Sequence, residues 1–390
     1  MIIPKLALRN LLGAGLRTWL NVAVLSFAFF AIVFLQGIYI GMSDQASAAL
    51  IDSYYGGGQY WQKNYDPFDP FSLEDSHAEI PLELATLVQT GKATPILIVQ
   101  ATSFPGGRIL PAMLHGIPTD QNVITIPTHT MDVESDAIPA LIGTRMAQSA
   151  RVNVGDFLTI RWRDDQGTYD AADIEIVHIM RTTVPTIDAG KVWIPLERLQ
   201  DMANMQDEAT IVVTAKDFNQ DIQASGWTFK SHDFLLADMK ALVEQKTAGA
   251  SVLYVILLFL GMLAIFDTQV LSIFRRQKEI GTLIALGMTR AKVIRLFTLE
   301  GALHGVLAAI FALIWGSPIL WIMANNGWPL PDYGDDFGMA LGEAIYPMYT
   351  GGLILGTTIL VLVTVTIVSF LPTRRIAKLK PTDALRGKRT

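Results

Sequence analysis

Long apolar runs alternate with mixed polar segments along the chain. Four runs are long enough to cross the hydrocarbon core of a bilayer, about 30 Å thick, which takes about 20 helical residues. They cover residues 19–42, 251–274, 297–323 and 347–371. The acidic and basic side chains within them are Asp267, Glu300 and His304. A soluble amphipathic helix would carry a charged face along its whole length, so we predict four transmembrane helices.

The segment between the first two runs has a different pattern, with short strand and helix signals. We predict helices at 81–89 and 138–150, and strands near 94–102 and 108–116 joined by the tight turn SFPGG. Two further alternating runs flank the turn at 165–167. The fold class is therefore an α-helical membrane protein with four transmembrane helices (1+3) and a large α+β extracytoplasmic domain inserted between the first and second helices. A β-rich subdomain at about 137–225 is expected inside that domain.

Composition agrees with this division and excludes several kinds of site. Hydrophobic residues make up 51% of the chain and charged residues 17%, too apolar for a soluble domain and too charged for a pure membrane bundle. The absence of cysteine excludes disulfides, thiolate metal sites and a cysteine nucleophile. No G-x-x-x-x-G-K-[ST] loop occurs, and the histidines lack H-x-x-x-H spacing. We therefore predict no catalytic, cofactor-binding or metal-binding residue, and a chain that is not an enzyme.

The positions of lysine and arginine predict the orientation. Sixteen of the 30 basic residues lie in 1–18, 275–296 and 372–390, whereas 28 of the 36 acidic residues lie in 43–250. By the positive-inside rule the three basic segments are cytoplasmic and 43–250 is external. A cleavable signal peptide is the alternative for the first run, but 24 residues exceed the usual apolar length of about 7–15. The predicted order is a cytoplasmic amphipathic helix (1–18), transmembrane helix 1 (19–42), the extracytoplasmic domain (43–250), helix 2 (251–274), a cytoplasmic coupling helix region (275–296), helix 3 (297–323), a short external loop (324–346), helix 4 (347–371) and a cytoplasmic tail (372–390).

Two cytoplasmic stretches carry a family resemblance. Residues 275–290 read RRQKEIGTLIALGMTR, an acid (Glu300) then opens the third apolar run, and residues 371–388 read LPTRRIAKLKPTDALRGK. Together they resemble the signatures of the FtsX-like family of ABC transporter permeases. The external pieces PILIVQATSFPGGRILPAMLHGIPTD and IGTRMAQSARVNVGDFLTI resemble the periplasmic domain of the lipoprotein-releasing LolC/LolE type. The resemblance covers essentially the whole chain.

The resemblance implies a multi-pass permease subunit of the bacterial inner membrane with both termini cytoplasmic. Its partners would be an ABC ATP-binding subunit, which holds ATP and Mg²⁺, and a second permease subunit in a homo- or heterodimer. Membrane lipids are further partners, and no nucleic acid is expected. The substrates would be lipoproteins or other amphiphilic molecules. An FtsX-like mechanical signal transducer controlling a periplasmic enzyme and a MacB-like efflux component are the alternatives. The short turn at 103–108 leaves no room for the long carrier-docking hook of LolC, so carrier transfer is in doubt.

The segment after the second apolar run would be the coupling helix that docks on the ATP-binding subunit. Residues 279–286 can form a short helix, Gly287 suits a left-handed position that ends it, and Thr289 can cap the next helix. Glu279 would contact the partner or pair with Arg275 or Arg276. An ordinary basic loop is the alternative. The implied ATPase-coupling residues are Glu279, Ile280, Gly281, Leu286, Gly287 and Met288.

Apolar positions in the first two runs would suit acyl chains, and core packing explains the same residues equally simply. These substrate-facing candidates are Leu25, Phe29, Ile32, Val33, Val255, Phe259 and Met262. The ionisable residues in the runs are functional candidates because exposing them to lipid is costly. Asp267 could face the basic cluster at Arg275, and Glu300 could pair with His304 one turn away. Coupling or a proton path is the alternative for all three.

Overall fold

The computed structural model describes residues 7, 15–133, 135–182, 184–218, 222–329 and 344–374. Most of the predicted amphipathic helix at 1–18, most of the tail at 372–390 and part of the loop at 324–346 lie outside these residues. The described helices are α1 (Leu16–Leu50), α2 (Leu82–Gln89), α3 (Thr144–Ala150), α4 (Pro185–Asp188), α5 (Leu196–Ala203), α6 (His232–Leu235), α7 (Ala237–Arg275), α8 (Gln277–Ala285), α9 (Arg290–Asn326) and α10 (Gly351–Thr373).

The strands fall mostly between α1 and α7. They are β1 (Gln59–Gln62), β2 (Ala78–Glu79), β3 (Ala93–Ser103), β4 (Leu110–Ile117), β5 (Ile138–Gly143), β6 (Phe157–Arg163), β7 (Tyr169–Met180), β8 (Lys191–Pro195), β9 (Glu208–Ala209), β10 (Ile211–Thr214), β11 (Trp227–Lys230), β12 (Trp328–Pro329) and β13 (Ala344–Ile345). Short 3₁₀ turns and one π-helical turn, Ile51–Tyr55 directly after α1, complete the described elements.

Four of the described helices, α1, α7, α9 and α10, are long and apolar enough to cross a membrane. The shortest, α10, has 23 residues and therefore spans about 35 Å at 1.5 Å per residue. One of the four precedes the β-rich domain in the chain and three follow it. The chain divides into two units, and these helices form the core of the first.

The helical unit has its own apolar core. Side chains of α1 meet those of α7, α9 and α10 in one cluster of buried residues, which are Val22, Leu25, Phe29, Val33, Ile265, Ala308, Ala309, Ala312, Val361 and Val365. Small residues on α9 let α10 approach closely. A Cβ on Gly305 would lie 3.2 Å from Leu362 and 3.5 Å from Val365. This is the close helix packing that small residues permit in membranes.

The second unit contains a closed ring of six strands. Pairing runs from β3 through β4, β8, β5, β7 and β6, and β6 pairs back onto β3. Alternate side chains of these strands point inward, and Leu97, Leu114, Ile142, Ile160 and Ile176 fill the interior. Residues 93–96 of the eleven-residue strand β3 pair with β10 instead, in a second sheet of order β11, β1, β10 and β3. The ring therefore includes β3 and β4, which lie before the subdomain expected at about 137–225.

The segment 138–150, expected to be one helix, is a strand followed by a helix. Residues 138–143 form β5, which pairs with β7 on one side and β8 on the other. Nearly every residue of β5 is buried. A short, fully apolar run cannot be assigned to helix or strand by periodicity alone. The helix begins after Gly143, where the buried Asp188 carboxylate accepts the Arg145 N–H at 3.0 Å.

Candidate functional site

The short helix α8 lies between the two long helices α7 and α9 and contains most of the motif found in the sequence. A bend at one residue, Arg276, separates α8 from α7; this residue has φ −100° and ψ 17°. The Arg276 N–H donates to the Ser272 carbonyl at 3.0 Å, and its own carbonyl accepts the Ile280 N–H at 2.9 Å. The predicted short helix is therefore present. It begins two residues before Glu279 and ends at Ala285.

The C-terminal end of α8 is a tight glycine-dependent stop. Gly287 has φ +95°, a left-handed conformation that glycine adopts without a Cβ penalty. Its N–H donates to Ile284 at 3.0 Å, and the Met288 N–H donates to Leu283 at 3.0 Å. These two bonds form a Schellman motif. Thr289 occupies the cap position of α9 as predicted, but its hydroxyl accepts no capping hydrogen bond.

An apolar anchor fixes α8 to its neighbours. Ile280 is completely buried and packs with Ile273 of α7 and with Val293 and Phe297 of α9. The side chains of Leu283, Ile284 and Met288 pack around this cluster. Burying a whole isoleucine side chain stabilises the arrangement by about 1.5–3 kcal/mol. The helix is therefore held against both long helices and cannot behave as an open loop.

Arg276 adds a charged clamp to this anchor. Its guanidinium donates to both Glu279 carboxylate oxygens, from Nε at 2.7 Å and from Nη2 at 2.8 Å. The remaining nitrogen, Nη1, donates to both Glu300 oxygens at 3.0 Å. The guanidinium also lies over the Phe297 ring, 4.7 Å from its centroid. One arginine therefore joins the first turn of α8 to α9.

The clamp shifts the pKa values of Arg276 and Glu279, which both lie outside the long helices. Its hydrogen bond to Glu279 raises the pKa of Arg276, with the Glu300 charge adding to the effect. The same hydrogen bond to Arg276 lowers the pKa of Glu279 against a smaller opposing effect of burial. Both groups therefore stay ionised across the neutral range.

The motif residues divide into buried and exposed sets. Ile280 and Gly281 are buried, so they position α8 and do not present a surface. Leu286 is 80% exposed, and Lys278, Thr282 and Ala285 share the exposed face. Leu286 is therefore a large apolar side chain on the exposed surface of this segment, and burying it against a partner protein would be favourable.

The substrate-facing candidates are not brought together in this chain. Leu25, Phe29, Ile32 and Val33 of α1 are each at most 3% exposed, and three of them belong to the core of the helical unit. Val255 and Phe259 of α7 are more than half exposed, and Met262 is partly buried. The α1 residues therefore have a packing role within the chain, and the α7 residues face outward.

The ionisable residues of the long helices lie in different surroundings. Asp267 is exposed, and Glu300 binds Arg276 as described. The expected pair of Glu300 and His304 side chains is not formed, because His304 Nδ1 lies 3.0 Å from the Glu300 backbone carbonyl. Sequence reasoning gave Arg276 only as one of two partners for Glu279. Nothing in the local sequence indicates its second partner, which lies 24 residues away.

The described part of the chain contains no group of three histidine, cysteine or acidic residues that could hold a metal ion.

The sequence of the chain is similar to those of known permease proteins. Residues 251–381 match the family described as FtsX-like permease C-terminal. The lipoprotein-releasing system transmembrane protein LolC of Xylella fastidiosa is 23% identical over 319 residues, which are 72% of this chain and 74% of that protein. An uncharacterized ABC transporter permease of Methanocaldococcus jannaschii is 27% identical over 171 residues, 41% of this chain and 39% of that protein.

The extracellular domain of the noncanonic ABC-type transporter YknZ from Gram-positive bacteria aligns with 47% of this chain and 94% of its own length. The TM-score is 0.27 and the sequence identity 11%, which does not establish a shared fold.

Proposed function

From the premise that this chain is an FtsX-like ABC transporter permease, we propose that α8 is its coupling element. A separate ATP-binding subunit, which holds ATP and Mg²⁺, docks on the exposed face of α8. Nucleotide-driven movement of that subunit then displaces α8 and the long helices attached to it. The chain itself contributes no catalytic group to ATP hydrolysis.

The observation that carries the proposal is the combination of a rigid mount and an exposed contact. Ile280 and Arg276 fix one side of α8, and the Gly287 turn fixes its end. Leu286 remains open on the other side. A basic loop that only satisfied the positive-inside rule would need neither the buried isoleucine nor the Schellman turn. A mounted helix can transmit displacement, whereas a flexible loop would absorb it.

The orientation follows from the charge distribution of the sequence. We propose that α8 and both termini are cytoplasmic in the inner membrane, with one crossing before the external domain and three after it. Because the chain lacks cysteine, single cysteines at Ser53, Ser149 and Gly387 can be probed with an impermeant maleimide. Labelling of the Gly387 site in intact spheroplasts would overturn this topology.

The proposed substrate is a lipoprotein or another amphiphile, handled by a dimer of permease subunits. The similarity to a protein named as part of a lipoprotein-releasing system supports this class. The outward-facing apolar side chains of α7, including Val255 and Phe259, offer a surface for acyl chains between subunits. Mass spectrometry of lipidated material that co-purifies with the native complex tests the substrate class. A stable complex with a cell-wall enzyme and no bound lipidated protein would favour signal transduction.

The docking proposal is tested with a matched pair of exposed leucines. Leu286, directly after the last residue of α8, is 80% exposed, and Leu82 is 79% exposed in the first turn of α2. We expect Leu286→Asp to weaken co-purification of the ATP-binding subunit by about 10- to 150-fold, since burying leucine contributes about 1.5–3 kcal/mol. Leu82→Asp should leave co-purification unchanged. Equal behaviour of the two variants would refute α8 as the docking element.

A further inference from the structure

Arg276 connects α8 to a helix that is distant in sequence. Of its two carboxylate partners, Glu279 lies within α8 itself and Glu300 lies in α9. In the Glu300 contact, the single nitrogen Nη1 lies 3.0 Å from both carboxylate oxygens. The Glu300 side chain is only 8% exposed, whereas that of Glu279 is 48% exposed. Water therefore screens the Arg276–Glu300 ion pair less than the Arg276–Glu279 pair.

Glu300 stands next to a position where three long helices pack closely together. A Cβ on the adjacent Gly301 would overlap the Ser369 side chain of α10 and lie 2.9 Å from the Gln269 amide nitrogen of α7. On the preceding turn, the Thr298 hydroxyl of α9 lies 3.1 Å from the Thr373 hydroxyl of α10. A displacement delivered to Glu300 therefore enters α9 where this helix is packed tightly on its neighbours.

The two connections of α8 differ in stiffness. The backbone link to α7 passes through the bend at Arg276, where rotation about one residue can change the angle between the helices. Besides the chain at 286–289, the link to α9 is a charge-assisted contact from Nη1 of Arg276 to Glu300, with the Phe297 ring behind the guanidinium. The bidentate fork from Nε and Nη2 to Glu279 fixes the guanidinium plane relative to α8, so Nη1 is held in place for Glu300. The clamp thus fixes the angle that the backbone bend leaves adjustable.

We propose that Arg276 and Glu300 are positioning residues that make α8 and α9 move as one body. Movement of the docked ATP-binding subunit then reaches α9, and through it α10, by way of this ion pair. The backbone bend carries the movement to α7. This inference rests on the proposed function of α8 and adds the route by which displacement leaves it.

The test uses the full chain co-purified with its ATP-binding subunit, with one fluorescent probe on an introduced cysteine. Ile310→Cys reports on α9 and Leu260→Cys reports on α7, since both positions are about half exposed. The measured quantity is the change in probe emission on adding ATP and Mg²⁺. In Glu300→Gln we expect the Ile310 probe change to fall by at least half, with the Leu260 probe change and subunit co-purification retained.

Two further variants make the result decisive. Asp267→Asn is the matched control, an acid-to-amide change in a neighbouring long helix at an exposed position, and both probe changes should be retained. Removing one partner of a buried pair leaves an uncompensated charge, so Glu300→Gln could fail to accumulate. The double variant Arg276→Gln with Glu300→Gln removes both charges of the buried contact, and the Glu279 carboxylate that loses its arginine is 48% exposed. It should show the same selective loss at the Ile310 probe.

The outcomes separate this inference from the proposed function. A full Ile310 probe change in the double variant, with the subunit bound, would overturn the clamp and leave α8 as the docking element. A lowered melting temperature with an unchanged probe response would also overturn it, because the pair would then be merely structural. If wild type showed no change at either probe and Leu286→Asp kept the subunit, the proposed function and the inference would both fail.

Discussion

Gly287 offers the sharpest test of whether the geometry of α8 matters. Its φ of +95° is left-handed, and nothing lies within 4 Å of the position that a Cβ would occupy. A substitution therefore introduces backbone strain without a steric clash, and the two effects need not be separated. Valine, which is β-branched, should cost about 1–3 kcal/mol in this conformation. Asparagine, which tolerates the left-handed region, should cost much less.

The strain translates into a measurable loss of affinity. We call α8 seated when it is packed against α7 and α9 as in this structure. If the seated form is destabilised by about 1–3 kcal/mol, its population relative to all other positions of α8 falls by about 5- to 150-fold. The apparent affinity for the ATP-binding subunit falls by up to the same factor, because only the seated form binds. The assay is co-purification of that subunit at graded salt concentrations, with hydrogen exchange of the α8 amides as a direct measure of seating.

A series of variants isolates the cause. We expect affinity to decrease in the order wild type, Gly287→Asn, Gly287→Ala and Gly287→Val. Gly352→Ala is the control, since this glycine also has open space around a Cβ but has no left-handed φ, and it should not weaken binding. If Gly287→Val bound the subunit and exchanged its α8 amides like wild type, the reasoning from the Schellman turn to coupling would be refuted.

Four other substitutions probe features outside α8. Phe29→Asp should prevent accumulation of the protein in the membrane, because Phe29 is buried in the helical core. Val255 is exposed, so Val255→Asp should insert at a cost of about 2.5–3.5 kcal/mol and lose co-purified lipidated material. Equal membrane yields of the two variant proteins would contradict the packing. Burial lowers the pKa of Lys191 from 10.5 to about 7, so between these values the unfolded chain holds more protons and stability rises with pH. Melting temperatures from pH 7 to 9 should show this rise, and Lys191→Met should flatten it. Gly143→Ala should destabilise the external domain by about 1–3 kcal/mol in a melt, because its Cβ would overlap the buried Asp188 carboxylate; a wild-type melt would contradict that placement.

The sequence by itself determined the elements whose cause is local. Length and apolar composition decide whether a helix can cross a bilayer, and the four long runs became four long helices. The short helix after the second run, its stop at Gly287 and the cap position at Thr289 also follow from neighbouring residues. Left-handed backbone and helix termination depend on residues within a few positions of one another. The spacing allowed Glu279 to contact a partner subunit or to pair with Arg275 or Arg276, and the pair with Arg276 is formed.

Tertiary structure decided what depends on distant partners. The strand at Ile138–Gly143 was expected to be helical, because its apolar run matches either structure until β7 and β8 pair on its two sides. The ring of strands recruits β3, whose length serves two sheets. The bond from Arg276 to Glu300 crosses 24 residues, and His304 was the nearer candidate in sequence. Burial of Leu25, Phe29 and Val33 in the helical core likewise depends on which helix faces which. Periodicity shows that a face is apolar but not what covers it, because the covering residues come from other parts of the chain.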